Sequence, residues 1–525
     1  DEVIGTGINY MLRSLDPYTI YYPEEKVKDL DLMISGKYAG VGALIRYNFL
    51  LKNTVIDEPY ENMPAAEVGL KKGDVILAIG DSSMVGKDVA YVSNHLRGDA
   101  GTTFILTIQR PSVNKKMKFK ITRRSIQLPA VPYYGVQDGG VGYLNLNSFT
   151  TGCAKDVRRA FLDMKKQGMT SLVFDLRNNG GGSLQEAVNI VNMFVPKGIT
   201  LVKTVGKMER ANKEYKTTVE PIDTVMPIVV LVNDETASAS EITSGSLQDL
   251  DRAVVLGTRT YGKGLVQVSM DLPYNGNLKL TSSKYYIPSG RCIQAINYKH
   301  ANGGYTEHVP DSLTHVFHTA NGREVRDGGG IKPDVEVRPD SLPNIAFYLA
   351  SSGRDSTEVM WNWELQYLKK HPTIGPAKTF VISDADFEDF KQAVLKSGFK
   401  YDRESKKYLE NLVKLAKFEG YYDDAKGEFD ALEKKLNHNL AKDLDYNKQT
   451  LKKVLTSDLV SAYYYQKGSL ENSLQFDKQW KKAVEILKNP AEYKKLLQPV
   501  VGQPLVKLEP ASNVAVDKRQ KPKAK

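Results

Sequence analysis

The chain has few of the features that cross-link a protein, anchor it in a membrane or bind nucleic acid. It contains two cysteines in 525 residues, too few for a disulfide framework, and we expect Cys153 and Cys292 to be buried, unreactive thiols. No apolar run approaches the roughly 18 residues that a membrane span requires. Hydrophobic residues make up 41% and charged residues 26%, a globular balance that excludes wholesale disorder.

The net charge of +10 is concentrated partly at the C-terminal end. Residues 517–525 hold five basic residues and one acidic residue, so they carry +4 of the total. We interpret residues 511–525 as a disordered, solubilising basic tail, with contact to an anionic surface as the alternative. No basic stretch alternates with aromatic residues as a base-stacking groove would require, so no nucleic-acid partner is predicted.

Length and patterning predict several domains, since about 150 residues are typical of one. The chain begins at Asp1 without a signal peptide, and we expect a mature or trimmed form. The fold class predicted is multidomain α+β, with alternating strands and helices in its largest part. The boundaries are a helical N-terminal segment at 1–34, a β-rich domain at 35–125, an α/β core at 126–340, a helical region at 341–510 and the tail at 511–525.

Ser238 follows the most apolar strand of the chain and opens a helix. Catalytic groups gather beyond the carboxyl ends of such strands, and a serine at a strand-to-helix turn has the setting of a nucleophile elbow. Taken alone, the spacing of Ser238 and Glu241 is equally that of a helix capping box. A serine nucleophile also requires a base. None of the seven histidines lies in this strand–helix unit or in the strands that follow it.

Lys263 stands between two glycines, 25 positions after Ser238. Glycines permit close approach of the backbone, and a lysine buried in an apolar site loses proton affinity and can act as a general base. Gln267 lies four residues on, which places both side chains on one face if the segment is a strand. The alternative is a glycine-rich turn with an exposed lysine.

The third motif runs from Asp175 to Ser183 and contains three consecutive glycines between a buried strand and a helix. Such a loop can present free N–H groups to an anion or an oxyanion. It lacks the P-loop pattern, so a nucleotide site is not predicted. The alternative is a flexible connection. Together the three motifs predict a nucleophile, a base and oxyanion donors at neighbouring strand ends.

With these motifs the chain resembles the carboxyl-terminal processing, or tail-specific, serine peptidases. The resemblance covers roughly residues 1–340 and also includes Ser14–Tyr18, Ser289–Gln294 and Gly330–Asp334. It implies an endopeptidase with a crotonase-like α/β core that cleaves proteins near the C-terminus. It further implies Ser238 as nucleophile, Lys263 as general base and Gln267 as orienting residue, without a metal or cofactor. Gly181 and Ala239 would supply the oxyanion N–H groups.

The β-rich segment 35–125 likewise resembles a PDZ domain that binds a substrate C-terminus by adding it as a strand. By that resemblance, Gly40, Val41, Gly42 and Ala43 would form the carboxylate-binding loop. Val92 and Leu96 would line the pocket for the last side chain. The implied partners are proteins or peptides with exposed C-termini, and the family setting implies a bacterial periplasm or cell envelope, with envelope association and a homo-oligomer as further possibilities.

Two other functions stay open at this point. One is a non-catalytic PDZ scaffold with a degenerate peptidase domain. The other is a Ser-His hydrolase of small esters that uses a histidine of the segment between Gln294 and Gly328. His315 and His318 could also suggest a metal site, but no cysteine or second pair completes one, and we expect a decorative loop.

Overall fold

The computed structural model describes residues 2–295, 311–351, 357–436 and 439–499. The basic tail, His300, His308 and His438 lie outside these residues. Internal contacts divide the described chain into two units. The first comprises residues 2–37, 128–339 and 478–499, and the second comprises residues 38–127 and 340–477. No helix in the described ranges has the length and apolar character that a membrane span needs.

Helices occur throughout the described residues and dominate after residue 340. Their bounds are α1 (Glu2–Leu12), α2 (Glu24–Ser35), α3 (Pro64–Glu67), α4 (Val89–Leu96), α5 (Cys153–Lys166), α6 (Leu184–Val191), α7 (Ala239–Asp249), α8 (Asn344–Ala350), α9 (Val359–Lys370), α10 (Asp384–Ser397), α11 (Glu404–Glu419), α12 (Lys426–Leu436), α13 (Leu440–Tyr446), α14 (Lys448–Ser473), α15 (Lys478–Leu487) and α16 (Pro490–Leu496).

Strands occupy the first two thirds of the chain. Their bounds are β1 (Ile20–Tyr22), β2 (Lys37–Gly40), β3 (Ala43–Asn48), β4 (Asn53–Pro59), β5 (Val75–Ile79), β6 (Ser82–Ser83), β7 (Thr103–Arg110), β8 (Lys115–Thr122), β9 (Arg124–Gln127), β10 (Tyr133–Gln137), β11 (Val141–Asn145), β12 (Ser171–Asp175), β13 (Thr200–Gly206), β14 (Lys213–Lys216), β15 (Ile228–Val232), β16 (Val254–Gly257), β17 (Leu265–Asp271), β18 (Asn277–Tyr286), β19 (Val316–His318), β20 (Glu324–Arg326) and β21 (Val335–Glu336).

The first unit is built on a six-stranded sheet in the order β10-β11-β12-β15-β16-β21. Its strands are parallel from β11 to β21, and β10 pairs antiparallel with β11. Every residue of β11, β12, β15 and β16 is buried. The cause is cover on both faces, by α5, α6 and α7 on one side and by α15 on the other. The predicted α/β core is therefore present.

Parallel pairing brings three connecting loops to the same edge of this sheet. β12 ends at Asp175, β15 at Val232 and β16 at Gly257, and these strands are neighbours in the order given. The glycine loop, the Ser238 turn and the Lys263 loop each follow one of these strand ends. Since carboxyl ends of adjacent parallel strands share an edge, the topology brings the three predicted motifs together.

A second sheet of the first unit carries the strands after Lys263. Its order is β1-β18-β13-β14, with β17 paired to residues 277–284 of β18. β1 pairs antiparallel with β18 and sets Ile20 opposite Lys279. This pairing places the N-terminal loop that precedes β1 beside β18. Residues separated by more than 250 positions therefore meet there.

The second unit combines the β-rich module with most of the C-terminal helices. The module has the strand order β3-β4-β5-β7-β8, with β6 on β5, and a core that includes α3 and α4. β3 is an edge strand of this sheet. Helices α8, α9, α10, α13 and α14 contribute to a separate aromatic-rich core. Trp361 of α9 packs against Val55 and Val75, on the outer face of the module.

Candidate active site

Ser238 occupies a strained turn between β15 and α7. Its backbone has φ 57° and ψ −116°, a region that a residue with a side chain rarely adopts. The peptide N–H of Ser238 donates to the carboxylate of Glu241 at 2.8 Å. The side chain is partly exposed although Ala237 and Ala239 on either side are buried. The strain and the exposure together give the serine the setting of a nucleophile elbow.

The glycine loop approaches Ser238 so closely that a side chain could not fit at Gly181. A Cβ there would lie 2.8 Å from the Cβ of Ser238 and 2.9 Å from the nitrogen of Ala239. The N–H of Gly181 donates to Asn179 Oδ1 at 2.9 Å. The N–H of Ala239 donates no hydrogen bond to the described part of the chain. The N–H groups of Gly181 and Ala239, the two predicted oxyanion donors, are thus neighbours. That of Gly181 is hydrogen-bonded to Asn179, whereas that of Ala239 donates no hydrogen bond within the described residues.

Asn179 is a residue that sequence reasoning missed. Its backbone carbonyl accepts from Ala237 N at 3.0 Å and from Ser240 Oγ at 2.8 Å, and its Nδ2 donates to the carbonyl of Leu146 at 2.7 Å. Its carboxamide oxygen holds Gly181, as described above. Asn179 therefore ties the glycine loop to the serine turn from both its backbone and its side chain. The only sequence signal was its position within the motif.

Arg177 and Asp175 stabilise the start of the same loop. Arg177 Nε donates to Asp175 Oδ1 at 2.9 Å, and Tyr143 Oη donates to Asp175 Oδ2 at 2.7 Å. Arg177 Nη1 reaches Gln479 of α15 at 2.8 Å. The pair is enclosed at the end of β12, so it fixes where the loop leaves the sheet.

Glu241 joins the serine turn to the lysine loop. Its carboxylate is completely buried and accepts four hydrogen bonds. Oε2 accepts from the N–H groups of Ser238 at 2.8 Å and Lys263 at 2.9 Å, and Oε1 accepts from Thr260 Oγ1 at 2.5 Å and Gly262 N at 2.7 Å. The capping interpretation was therefore correct but incomplete, because the same carboxylate also positions the lysine segment.

Tyr285 provides a second link between the two segments. Its hydroxyl lies 2.7 Å from the carbonyl oxygen of Lys263, to which it donates, and 3.3 Å from that of Ser238. The ring is buried in the core of the first unit. The backbones of Ser238 and Lys263 thus share one buried carboxylate and one buried hydroxyl.

Lys263 lies in the extended segment before β17, with its ammonium 4.6 Å from the centroid of the Tyr18 ring. The pKa of Lys263 is lowered to about 8, by burial most and by the nearby charge of Lys279 next, while Glu241 and Asp16 act in the opposite direction. Within the described residues no hydrogen bond joins Lys263 Nζ to Ser238 Oγ. The lysine is thus half-buried beside the serine segment, with a pKa below that of an exposed lysine.

Gln267 lies on β17 at an irregularity in its pairing with β18, between Val266 and Gln267. Its Nε2 donates to Thr281 Oγ1 at 3.1 Å, and Thr281 Oγ1 donates to Asp16 Oδ1 at 3.0 Å. In the described chain it forms no hydrogen bond with Lys263 or Ser238. Since Lys263 precedes the strand, the argument from strand alternation does not apply to this pair.

The closing sequence motifs anchor the far end of α7. Arg291 is 1% exposed, and its Nη2 donates to Gln248 Oε1 and Asp249 Oδ1, both at 2.8 Å. A Cβ at Gly330 would lie 2.5 Å from the carbonyl of Thr260, so this glycine permits close contact with the lysine loop. These motifs therefore position the helix that starts at the candidate nucleophile.

In the second unit, the candidate carboxylate-binding loop runs into the edge strand β3. Gly42 has φ 72°, and a Cβ there would lie 2.5 Å from Met63 Cβ. The N–H groups of Val41 and Gly42 donate no hydrogen bond within the described chain. Gly40 ends β2 and Ala43 begins β3. Two unengaged N–H groups thus precede an open strand edge.

Val92 and Leu96 lie on α4 in the core of the β-rich module, with exposed fractions of 0% and 5%. α4 packs beside β3. Both residues therefore lie between the helix and the strand edge, where they contact the apolar interior.

His315 and the two cysteines have ordinary structural surroundings. His315 is exposed, and its Nδ1 lies 3.0 Å from Asp327 Oδ2. No cluster of three potential metal ligands occurs among the described residues. Cys153 is buried and Cys292 is half-buried, and burial raises the pKa of both thiols. These surroundings do not resemble a histidine-dependent or thiol-dependent site.

Three sequence models of protein families match the chain. The model of peptidase family S41 matches residues 140–300, and a PDZ domain model matches residues 55–110. A model described as a probable PDZ-protease C-terminal helical domain matches residues 348–487. The predicted fold class, a PDZ domain with an α/β peptidase core and a helical C-terminal region, is confirmed.

Curated relatives of the chain are named as carboxy-terminal-processing or CtpA-like proteases. A carboxy-terminal-processing protease of Bartonella bacilliformis is 37% identical over 300 residues, which are 56% of this chain and 68% of the relative. A probable CtpA-like serine protease of Staphylococcus aureus is 30% identical over 423 residues, or 79% of this chain and 72% of the relative. A solved structure of a photosystem II D1 C-terminal processing protease is 28% identical, with a TM-score of 0.36, over 64% of this chain and 82% of that one.

Proposed function

The chain belongs to the carboxy-terminal-processing proteases of peptidase family S41, and from this premise we propose that it is an endopeptidase with a Ser238/Lys263 dyad. Its substrates are proteins or peptides with exposed C-termini, which it cleaves near that end. The observation that carries the proposal is the half-buried Lys263, whose backbone N–H shares the Glu241 carboxylate with that of Ser238. A lysine of low proton affinity beside a strained serine is the pairing that nucleophilic catalysis without histidine requires.

The proposed reaction begins when Ser238 Oγ attacks the carbonyl carbon of the scissile peptide bond. Neutral Lys263 accepts the hydroxyl proton as the C–O bond forms, and it donates that proton to the leaving amine when the C–N bond breaks. Water then hydrolyses the acyl-enzyme with Lys263 again as base. The lysine pKa of about 8 supports this role, because about a tenth of the side chain is neutral at pH 7, far more than for an exposed lysine. No cofactor is required by these steps.

We propose the N–H groups of Ala239 and Gly181 as donors to the tetrahedral oxyanion. The unengaged N–H of Ala239 at the first residue of α7 and the close approach of Gly181 to Ser238 support the pair. Gly181 must release Asn179 Oδ1 to serve in this way. Ser238 and Lys263 must likewise approach to about 2.6–3.2 Å when substrate binds. Gln267 is proposed to orient the dyad through Thr281 and the loop that carries Tyr18.

The PDZ domain is proposed to bind the substrate C-terminus. The N–H groups of Val41 and Gly42, with Gly40 and Ala43 in the same loop, would hold the terminal carboxylate, and the edge strand β3 would pair with the peptide. Val92 and Leu96 would form the apolar floor for the last side chain. We also propose residence in the bacterial periplasm or cell envelope, by analogy with the family, which fractionation of the native host would test.

The test is cleavage of an unfolded protein such as casein by the full chain and its variants. Ser238→Ala and Lys263→Ala should each lower turnover by about a thousandfold or more while the circular dichroism spectrum is unchanged. Lys284→Ala is the matched control, since Lys284 is exposed on β18. A peptide substrate with an amidated C-terminus should be cleaved less efficiently than its free acid.

The outcomes separate the alternatives. Wild-type turnover in either dyad variant would overturn the assignment. Binding of the free-acid peptide without any cleavage by the wild-type chain would identify a scaffold. Loss of activity in His315→Ala with retention in Lys263→Ala would instead favour the histidine-dependent hydrolase.

A further inference from the structure

A cavity of about 910 Å³ lies within the second unit, between the β-rich module and the C-terminal helices. Its lining includes Leu44 and Arg46 of the edge strand β3, together with residues of β4, α9 and α14. Val92 and Leu96 of α4 do not line it, so it is distinct from the proposed pocket for the last side chain of the substrate. Its volume is within the range of protein pockets that bind ligands.

The edge strand β3 presents alternate side chains to two faces of the module. Ala43 and Ile45 pack on the core that contains α4. Leu44 and Arg46 therefore point to the opposite face, where the cavity lies. The irregularity in the pairing of β3 with β4 inserts its extra residue, Asp57, on β4, so the alternation along β3 itself is regular.

A peptide added to β3 alternates in step with it, because residues opposite each other in a sheet share a face. In the proposed complex the last side chain lies over Val92 and Leu96, on the α4 face. The penultimate side chain then points to the other face, beside Leu44, which is 46% exposed and pairs with Glu58 of β4. The cavity thus lies on the side of one defined position of the substrate.

The two basic side chains inside the cavity already have acidic partners. Arg46 Nη2 donates to Glu358 Oε2, and Lys72 Nζ lies 3.2 Å from Glu364 Oε2 and 3.6 Å from Asp57 Oδ1. Arg46 Nε has no acceptor among the described residues, but the guanidinium as a whole is paired by Glu358. These cations therefore do not leave an unpaired positive charge for an anionic ligand.

The remaining basic side chains of the lining are either paired or exposed. Arg110 Nε donates to Asp74 Oδ1 at 2.7 Å, and Lys71 and Lys369 are exposed to solvent. Charges in solvent are screened, so these two lysines contribute little to the potential inside the cavity.

The carboxylates of the cavity, by contrast, can accept further hydrogen bonds. Glu364 is 2% exposed, and its Oε1 has no hydrogen-bond partner in the described part of the chain. Glu58 accepts from Ser461 Oγ at 2.9 Å and from Gln466 N at 3.0 Å, which leaves about two lone-pair positions. Asp458 also lines the cavity. Burial raises the pKa of all three carboxyls, that of Glu364 to about 8, so a cation at this place would stabilise their charged forms.

We propose that this cavity is a second recognition site for the substrate C-terminus, and that it takes a lysine or arginine side chain at the penultimate position. The aliphatic part of that side chain lies against Leu44, and Glu58 and Asp458 bind its cationic end. The inference rests on the proposed addition of the substrate to β3. It gives α14, which carries Asp458, a part in substrate selection.

The experiment measures peptide binding to the full-length Ser238→Ala chain by fluorescence anisotropy. The labelled peptides have a free C-terminus and differ only in the penultimate residue, which is lysine, arginine, alanine or glutamate. The lysine and arginine peptides should bind about tenfold more tightly than the alanine peptide, and the glutamate peptide more weakly than it. Lysine at the third position from the end should give no gain, because that side chain points to the α4 face.

Variants in the same Ser238→Ala chain assign the preference to the cavity. Asp458→Asn removes a charge at nearly constant shape and should reduce the preference for lysine over alanine to about threefold or less. Glu58→Gln provides a second variant if Asp458→Asn does not fold. Asp81→Asn is the matched control, since Asp81 is exposed on the same module and does not line the cavity. Equal binding of the lysine and alanine peptides would overturn the inference, as would a full preference in both Asp458→Asn and Glu58→Gln.

Failure of the proposed function has a different signature. If the amidated lysine peptide binds as tightly as its free acid, the proposed binding of the C-terminal carboxylate by the PDZ domain is wrong, and the inference is wrong with it. If the free carboxylate is required but the penultimate residue has no influence, the inference alone is wrong.

Discussion

At the scale of single residues, the site depends on a lysine that the fold holds in an unfavourable environment. Lys263 lies over the Tyr18 ring, and burial together with the positive charge of Lys279 lowers its pKa to about 8. An exposed lysine would be almost fully protonated near neutral pH and could not accept a proton. The same burial that makes Lys263 a base also costs folding free energy.

The activity should therefore depend on pH with a defined sign. Lys263 acts in its neutral form, so kcat/KM should rise with pH and reach half of its maximum near pH 8. Initial rates on a peptide substrate between pH 5 and 9 measure this, in buffers of constant ionic strength. A flat profile over that range would contradict the lysine base.

Replacing this lysine by an apolar residue of similar length should stabilise the protein. With a pKa of about 8 folded and 10.5 unfolded, Lys263 is charged in both states below pH 8, where its penalty is complete. Between these values the unfolded state binds more protons, so stability rises with pH. Lys263→Met should raise the free energy of unfolding by up to about 3 kcal/mol at pH 7. Denaturant titrations should show that gain vanishing above pH 10.5.

At the scale of elements, three loops after neighbouring parallel strands form the site. β12, β15 and β16 deliver the glycine loop, the serine turn and the lysine loop to one edge. Hydrogen bonds that Glu241 accepts from Lys263 N and Asn179 accepts from Ser240 Oγ then join these loops. The contact between Gly181 and the Ser238–Ala239 peptide leaves no space for a methyl group. The positions of the loops are therefore mutually dependent.

This dependence can be tested with two adjacent glycines. Gly181 has φ 98° and no room for a Cβ, so Gly181→Ala should displace Ser238, reduce kcat at least a hundredfold and cost about 1–3 kcal/mol of stability. Gly180→Ala is the matched control, because nothing lies within 4 Å of a Cβ there. Equal activity of the two variants would show that the close contact has no catalytic importance.

Much of this edge could be predicted from the sequence, because its signals are local. Val157, Phe161 and Met164 recur at helical spacing, which predicts a helix where the structure has α5, and those three side chains are buried in one core. The contact between Asp16 and Thr281 joins residues 265 positions apart, and no local pattern encodes it. The sequence explains Glu241 by its helix-capping spacing alone, and that spacing does not indicate the hydrogen bonds that Glu241 accepts from Gly262 and Lys263. The irregularity beside Gln267 likewise has no sequence signature.

At the scale of the whole molecule, the first unit is assembled from three separate stretches of chain. Residues 2–37, the central core at 128–339 and residues 478–499 belong to it. The last stretch contributes Gln479 to Arg177, the ring of Trp480 to Tyr143, and the hydroxyl of Tyr493 to the backbone of Ile228. α15 therefore completes one face of the central sheet.

Two truncated chains should separate the contribution of residues 478–499 to activity and folding from that of residues 500–525. A chain that ends after Asp477 should lose activity and aggregate, because the apolar face of β12, β15 and β16 would be uncovered. A chain that ends after residue 499 keeps α15 and α16 and should cleave casein at the rate of the full chain. Size-exclusion chromatography and turnover measure both. Full activity without residues 478–525 would contradict this account of α15.

The position of α15 near the C-terminal end matters while the chain is being synthesised. A ribosome releases the serine and lysine segments more than 200 residues before it reaches α15. Until then the sheet that carries both loops has one bare face, and Arg177 has no Gln479 to contact. The nascent chain therefore holds every group of the proposed dyad without a finished framework around it. If the truncation shows that α15 is required for activity, cleavage by the proposed dyad begins only after residues 478–487 have been translated.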